Sequence, residues 1–428
     1  MNSHRFLIIG AGPTGLGAAL RLEQLGQDYL VVDALADVGG MAGSVIDERG
    51  FTWDLGGHVL HSHFEFFDQA IAASDVPLNT VRRNGWVWMD GRLIRTPIQS
   101  NLDELPRDLQ PDAPAHNLAD YYRNNFGQAL FSNFFEPYTF KMWATPLDGI
   151  DDAWVSLKSG NGERNVPLIG LAGDFVVKDA YFPYPQGGTG ALWHQLQATQ
   201  LDAGKFLMNT RITDVDLGKR VATLDSGEQV QFEYCVSTAP IVTAMDWAQL
   251  SAGRGNLTSS MVYAVGLGFR GEPPEALADK TWLYSPDSDV PWYRATMLSN
   301  YDAQNAAEGC WSVLCEISTS KHRPENVTDL AQRTIDSIVR LGARAADLVD
   351  VWQRTVPMGY PVPTLGRDAV IRHIDDMLLQ HGIYSRGRFG GWRYESCNQD
   401  FSFMQGAQAV DHALSGAPED VFWHPENF

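Results

Sequence analysis

Hydrophobic and polar positions follow three rhythms along the chain. The stretch RFLII (5–9) is a nearly unbroken apolar run of strand length, and DYLVVD (28–33) is a second. Between them, Leu16, Ala19 and Leu20 fall on one helical face. This predicts strand, helix, strand at the start of the chain. Residues 100–150 are rich in aromatics and predict largely helical structure. SLKSGNGERNVPLIGLAG (156–173) has many glycines and weak periodicity, which predicts mobile loops or flaps. FPYPQGGTGALW (182–193) predicts a turn leading into a helix. Period-two alternation over 210–240, with turn signals at Leu217–Gly218 and Ser226–Gly227, predicts strands, and 260–320 predicts more of them. TDLAQRTIDSIVRLGA (328–343) predicts an amphipathic helix with Ala331, Ile335, Ile338 and Val339 on its apolar side.

The junction between the first strand and helix carries the first chemistry. GAGPTG (10–15) places Gly10, Gly12 and Gly15 in G-x-G-x-x-G spacing, and the second strand ends in Asp33. The first glycine permits the tight turn and the second lets a pyrophosphate approach the backbone. The third lets helix pack on strand, and the acid takes ribose hydroxyls. The helix N-terminus faces the phosphates. DVGGMAGS (37–44) follows with another glycine pair and with Gly40 and Met41. It resembles the second glycine loop of flavoproteins of the glutathione-reductase and amine-oxidase type. A third pair, Gly56 and Gly57, precedes His58. The expected resident cofactor is therefore FAD rather than NAD. With no second G-x-G-x-x-G, no separate NAD(P)H domain is expected.

Charge narrows the partners. The 52 acidic residues outnumber 32 basic ones, for a formal net charge of −20. Such a surface repels nucleic acid and anionic membranes, so neither is expected as a partner. An anionic substrate would need a local arginine cluster. Cys235, Cys310, Cys315 and Cys397 form no C-x-x-C pair, which argues against both a disulfide framework and a thiol redox motif, and no metal site is expected. The apolar run near the start is too short for a signal peptide, and no segment approaches a membrane span. A cytoplasmic protein is expected.

The stretch SRGRFGGWRYESCNQDFSFMQG (385–406) concentrates arginines, aromatics and amides without an obvious acid, base or nucleophile. With it, DLGGHVLHSHFEFFD, EPYTFKMWATP, GGTGALW, WLYSPDSDVPWYRATMLSNY and GYPVPTL occur in order along the chain. In these stretches the chain resembles the UDP-galactopyranose mutase family, particularly its eukaryotic-type branch. The resemblance implies a ring contraction without net redox change, in which reduced flavin N5 attacks the anomeric carbon of a nucleotide-linked galactopyranose and displaces the diphosphate. The nucleophile belongs to the cofactor, so the protein needs no catalytic Ser or Cys.

Residue by residue, the resemblance places the diphosphate on Tyr284, Arg294, Tyr360, Arg388 and Tyr394. Arg forks onto phosphate oxygens and Tyr hydroxyls donate single bonds. Asn398, Gln399 and Ser402 match the stretch that approaches flavin and sugar, His58 a loop histidine near flavin N5, and Trp143 an aromatic of the sugar–nucleotide pocket. His58, Arg294 and Arg388 are the expected catalytic residues. NADPH is the expected reductant, with Arg83 and His63 at positions suited to its 2′-phosphate.

The expected fold class is α/β: a Rossmann-type FAD-binding domain, like those of glutathione reductase and amine oxidases, with inserted helical and mixed-sheet substrate lobes. Residues 1–80, 205–245 and 380–415 are assigned to a discontinuous FAD domain. Residues 100–180 form the helical lobe with its flaps, and 80–100 with 255–375 the sheet lobe. The chain departs from the family at the nucleotide base. A Tyr-Pro-Phe-Gln run becomes TPIQ, with Thr96, Ile98 and Gln99, and Pro-Tyr-Asn-Phe becomes PYTF, with Thr139. A flap arginine aligns with Lys158. Lost bulk and a lost amide favour a purine, so GDP-galactose is expected over UDP-galactose, against drift within a uridine site. The chain lacks the family's long insertion after Tyr301 and most of its C-terminal extension, which leaves a homo-oligomer open. The rival readings are a flavin oxidase or desaturase of the amine-oxidase type, which shares the fold, and a non-catalytic FAD-binding partner protein.

Overall fold

The structure, a computed structural model, describes residues 2–96, 98, 114–152, 155 and 181–428. The expected flaps at 156–173, with Lys158, lie outside the described residues, as does Gln99.

The first strand, Asn2–Ile9, lies in the middle of a seven-stranded sheet, parallel to Tyr29–Val32 on one side and to Gln229–Ser237 on the other. Its apolar run is buried on both faces, as parallel sheets require. Phe6 and Ile8 enter the core shared with the helices Pro13–Gln24 and Gln399–Ser415. Leu7 and Ile9 enter the core shared with Ile241–Trp247 and Arg367–Leu379. Phe206–Leu207, Ile212–Asp216, Val221–Leu224 and Ile383–Ser385 complete the sheet. Late chain thus returns to early chain. The two helices on the first face touch backbone to backbone. A Cβ on Gly17 would stand 2.1 Å from the Phe403 carbonyl oxygen, and one on Gly406 would stand 1.9 Å from that of Thr14.

A second seven-stranded sheet runs Leu348–Pro361, Ser259–Arg270, Cys310–Thr319, Arg294–Thr296, Trp282–Tyr284, Gly85–Met89, Arg92–Arg95. Alternation divides its faces. Val265, Leu267, Ala295, Cys315 and Ile317 pack toward the helix Val327–Arg340. The register sets Tyr284 opposite Arg294 and Arg294 opposite Glu316, so these three form a row across three strands.

The helix Val327–Arg340 is rotated from expectation. Leu330, Thr334, Ser337 and Ile338 are buried, while Ala331, Ile335 and Val339 are only partly covered. Polar atoms on the hidden face satisfy themselves locally. Thr334 Oγ1 donates to the Leu330 carbonyl (2.7 Å), and Ser337 Oγ accepts from Trp292 Nε1 (2.8 Å). Small hydroxyl residues therefore stand in for apolar ones.

The helices Leu118–Leu130 and Glu136–Trp143, joined through Phe131–Phe135, pack an aromatic core against this second sheet. Lys141 Nζ reaches out of that core and donates to the carbonyls of Ser285, Asp287 and Val290 at 2.8–2.9 Å. It ties the helical lobe to the loop that carries Tyr284 toward Arg294. Among the described residues no helix is long and apolar enough to cross a membrane.

Candidate active site

A cavity of about 420 Å³ runs from the first glycine turn to the Tyr284–Arg294–Glu316 row. At its first end, Gly10 has φ +103° and no room for a side chain, because a Cβ would meet Thr238 Oγ1 at 1.9 Å. A Cβ on Gly15 would meet the Gly10 carbonyl at 1.8 Å. At Gly12 the nearest atoms are 3.8 Å away, so this glycine is open toward the cavity. It also caps the helix Pro13–Gln24 without a side-chain hydrogen bond, leaving the first-turn N–H groups for a ligand. Asp33 lines the cavity while accepting from Ala11 N (2.6 Å) and Leu35 N (2.7 Å), so it holds the turn as well as facing the ligand. The second glycine loop touches the first: a Cβ on Gly40 would lie 3.2 Å from Gly12 Cα.

These residues fit FAD. The glycine cradle and helix N-terminus suit its pyrophosphate and Asp33 its ribose. Asn398, Gln399 and Ser402 line the middle of the cavity with Met41, Gly57 and His58. Gln399 Oε1 accepts from Trp193 (3.1 Å), but its buried Nε2 has no partner, a donor waiting for an acceptor. The helix Gln399–Ser415 begins here, and its Asn398 cap also makes no side-chain bond. His58 Nε2 donates to the Met41 carbonyl (2.8 Å). Burial, reinforced by the nearby Arg388 and Arg294, pushes this imidazole below its ordinary pKa although Asp54 opposes the shift. His58 is thus neutral, with Nδ1 bare.

At the far end, Arg294 forks onto Glu316, Nε to Oε2 at 2.5 Å and Nη2 to Oε1 at 2.7 Å. Burial works to raise the Glu316 carboxyl, but Arg294 beside it and the Tyr293 hydroxyl (3.0 Å) hold it below the usual range. Tyr293 and Tyr360 hydroxyls are 3.0 Å apart. Arg388 differs. Its Nη2 donates to the Cys397 carbonyl (3.1 Å), its guanidinium carbon sits 5.9 Å from the ring centres of Tyr360 and Tyr394, and it has no carboxylate partner among the described residues. Arg83 lies over the Trp282 ring, at 5.3 Å, and also lines the cavity. Trp143, fully buried, stands edge-on behind Tyr394 (4.9 Å) and Tyr360 (5.8 Å).

The other arginines of 385–406 are structural. Arg386 is buried between Asp375 and Glu419. Arg393 and Arg367 share Glu395. Burial alone would raise Glu395, but Arg367 and then Arg393 bring its pKa down to about 2. This knot fixes the backbone beside Tyr394.

The cavity brings together Gly12, Asp33, Gly40, Met41, Gly57, His58, Tyr284, Arg294, Tyr360, Arg388, Tyr394, Asn398, Gln399 and Ser402. Gly10, Gly15 and Trp143 support it from behind. The described residues of the expected base pocket, Thr96, Ile98 and Thr139, lie outside this cavity. Thr96 Oγ1 donates to the Gly85 carbonyl (2.8 Å), and Ile98 and Thr139 are buried, Ile98 as part of the aromatic core. None of the three lines the cavity. His63 also turns away, bonding buried Asp400 at 2.7 Å, and His61 takes the place beside Arg83. Glu316, Trp282, Thr296 and Tyr301 line the cavity without having been singled out; Trp282 Nε1, Thr296 Oγ1 and the Tyr301 hydroxyl are buried without a hydrogen-bond partner among the described residues.

A dinucleotide cradle that opens into an arginine–tyrosine chamber defines a flavoprotein of the amine-oxidoreductase class. The family model of flavin-containing amine oxidoreductases matches residues 13–372. The crystal structure of a reduced UDP-galactopyranose mutase is 32% identical, with a TM-score of 0.88 over 99% of this chain and 98% of that one. The chain therefore belongs to the flavin-containing amine oxidoreductases and, within them, to the UDP-galactopyranose mutase family, which makes it an FAD enzyme of the isomerase class. Cyclohexylamine oxidase from Brevibacterium oxydans IH-35A shares the fold at 13% identity, with a TM-score of 0.68 over 96% of this chain and 99% of its own. The ferredoxin–NADP reductase of Gluconacetobacter diazotrophicus is 40% identical over 79 residues, which are 18% of this chain and 23% of that protein's length.

Proposed function

We propose that the protein interconverts the pyranose and furanose forms of a nucleotide-diphosphate galactose. The observation that carries this is Arg388, a cation without a carboxylate partner among the described residues, flanked by two tyrosines and facing the same cavity as the FAD cradle. Reduced FAD, when bound, supplies the nucleophile that displaces the diphosphate. The chain's own residues do the rest. Arg388 and Arg294 hold the diphosphate and stabilise its charge as it leaves. Tyr284, Tyr360 and Tyr394 surround it, and Trp143 braces two of them. Neutral His58 offers an acceptor where an imidazolium would repel the neighbouring arginines. An oxidase needs no such anion chamber.

NADPH is the reductant in this reading, with Arg83 and His61 at the cavity suited to its 2′-phosphate. GDP-galactose is the preferred substrate. The support is the departure in sequence alone, Thr96 and Ile98 where the family carries two rings, since neither side chain lines the cavity.

The test is conversion by dithionite-reduced protein under nitrogen, with GDP-galactose and UDP-galactose compared side by side for kcat/KM. Turnover of either without oxygen uptake supports the mutase. Failure with both, together with peroxide production from amines, overturns it. A tenfold or greater advantage for UDP-galactose overturns the base preference alone.

A further inference from the structure

Arg294 is not a free cation. Two N–H donors along one edge of its guanidinium, Nε and Nη2, are committed to Glu316, and the pair is net neutral. The contacts around it have a fixed direction. A carboxylate only accepts, so at 3.0 Å Tyr293 donates its one proton to Glu316. The 3.0 Å contact between Tyr293 and Tyr360 is then a donation by Tyr360. The chain of bonds reads Tyr360 to Tyr293 to Glu316, with Arg294 closing on the same carboxylate. Tyr293 is fully buried, and Glu316 lines the cavity. Tyr360 therefore commits its proton inward and shows the cavity only lone pairs, the wrong polarity for a phosphate oxygen.

We propose that Glu316 is a counter-ion that limits the grip on the diphosphate, both by neutralising Arg294 and, through Tyr293, by holding the Tyr360 proton away from the ligand. This rests on the mutase reading, in which the diphosphate leaves, returns and finally departs as part of the nucleotide sugar. A site holding it with every charge uncompensated would bind ground state and transition state alike and slow release. Glu316 makes the ligand compete for Arg294 and rotate the Tyr360 hydroxyl before the full set of bonds forms. Tyr293 is a positioning residue, acting through Tyr360 and Glu316.

The experiment titrates FAD-loaded wild type, Glu316→Gln and Tyr293→Phe with UDP and with GDP at low and high salt. Glu316→Gln is expected to bind the better nucleoside diphosphate about tenfold tighter or more, with an affinity that falls more steeply with salt because one more cation is uncompensated. Its kcat and KM are both expected to fall. Tyr293→Phe keeps the ion pair and frees the Tyr360 proton, so it is expected to bind a few-fold tighter, about threefold, with unchanged salt dependence. Unchanged or weaker binding by Glu316→Gln overturns the counter-ion role. Weaker binding by Tyr293→Phe overturns the relay, since a merely structural Tyr293 would loosen Tyr360. If Glu316→Gln does not fold, Tyr293→Phe decides alone. A wild type that binds neither nucleotide defeats the function reading itself, and this proposal with it.

Discussion

The Nε2–H of His58 is spent on the carbonyl oxygen of Met41, 2.8 Å away, in the glycine loop that approaches the cofactor. One proton thus sets the tautomer of the site's histidine. Burial and two arginines keep it from taking a second. The histidine resonances should separate accordingly: in nitrogen-15 spectra of the holoenzyme at pH 7, His58 is neutral with Nδ1 unprotonated. A neutral His58 ring carrying its proton on Nδ1 would refute the tautomer. His58→Ala should keep its FAD and lose kcat.

His63 behaves in the opposite sense. Its bond to buried Asp400 raises its pKa above the ordinary value, outweighing the effect of burial. The folded state then binds the proton more tightly than the unfolded one. The stabilisation is fully present below the unfolded pKa of about 6.5 and is lost as pH rises through the folded value. Urea midpoints of wild type and His63→Gln should differ more at pH 6 than at pH 9. Equal differences at both would show that the pair does not titrate as the geometry requires.

Arg388→Ala and Arg294→Ala should each lower kcat/KM at least about tenfold, the worth of a charge-assisted bond of ~1.5–3 kcal/mol. FAD should remain bound in both. The larger loss is expected for Arg294→Ala, because it leaves the Glu316 carboxylate buried, unpaired and facing the diphosphate. A larger loss for Arg388→Ala would mean that Glu316 finds another partner.

Gly406→Ala puts a methyl 1.9 Å from a backbone oxygen that no rotamer can move. A thermal melt of the holoenzyme should show destabilisation of about 1–3 kcal/mol or more. Because the displaced helix is the one capped at Asn398 and Gln399, flavin should also be released more readily, which fluorescence of the freed FAD would report.

The purified protein should be yellow and release intact FAD on denaturation. It should be inactive until reduced, since an oxidised flavin is electron-poor. Equal rates for oxidised enzyme in air and reduced enzyme under nitrogen would rule out a nucleophilic flavin.

The cradle was legible in sequence because its parts are neighbours: Gly10, Gly12, Gly15 and Asp33 sit within one strand–helix–strand unit, where spacing alone carries the chemistry. Arg388, Tyr394 and Asn398 were legible through the motif that holds them. Glu316 was not. It is the single charged residue of its strand, and its partner comes opposite only through strand register, which spacing along the chain does not reveal. The one local signal was an acid in the run CWSVLCEIST. Ile98 shows the converse limit: the identity of a substituted residue says nothing about whether its side chain faces ligand or core.

Gly17 and Gly406 allow the first and the last long helices to share one seam, and the strand Ile383–Ser385 zips onto Gln229–Ser237 beside them. A nascent chain emerging from the ribosome therefore makes its glycine turn at once but must keep that surface uncovered through most of its synthesis. Such long-range closure is slow and leaves apolar surface exposed meanwhile. Cofactor capture becomes a late event in biogenesis: expression under flavin limitation should yield chains that fail at their final step, and a ligand that reaches both helix N-termini would act as the clasp.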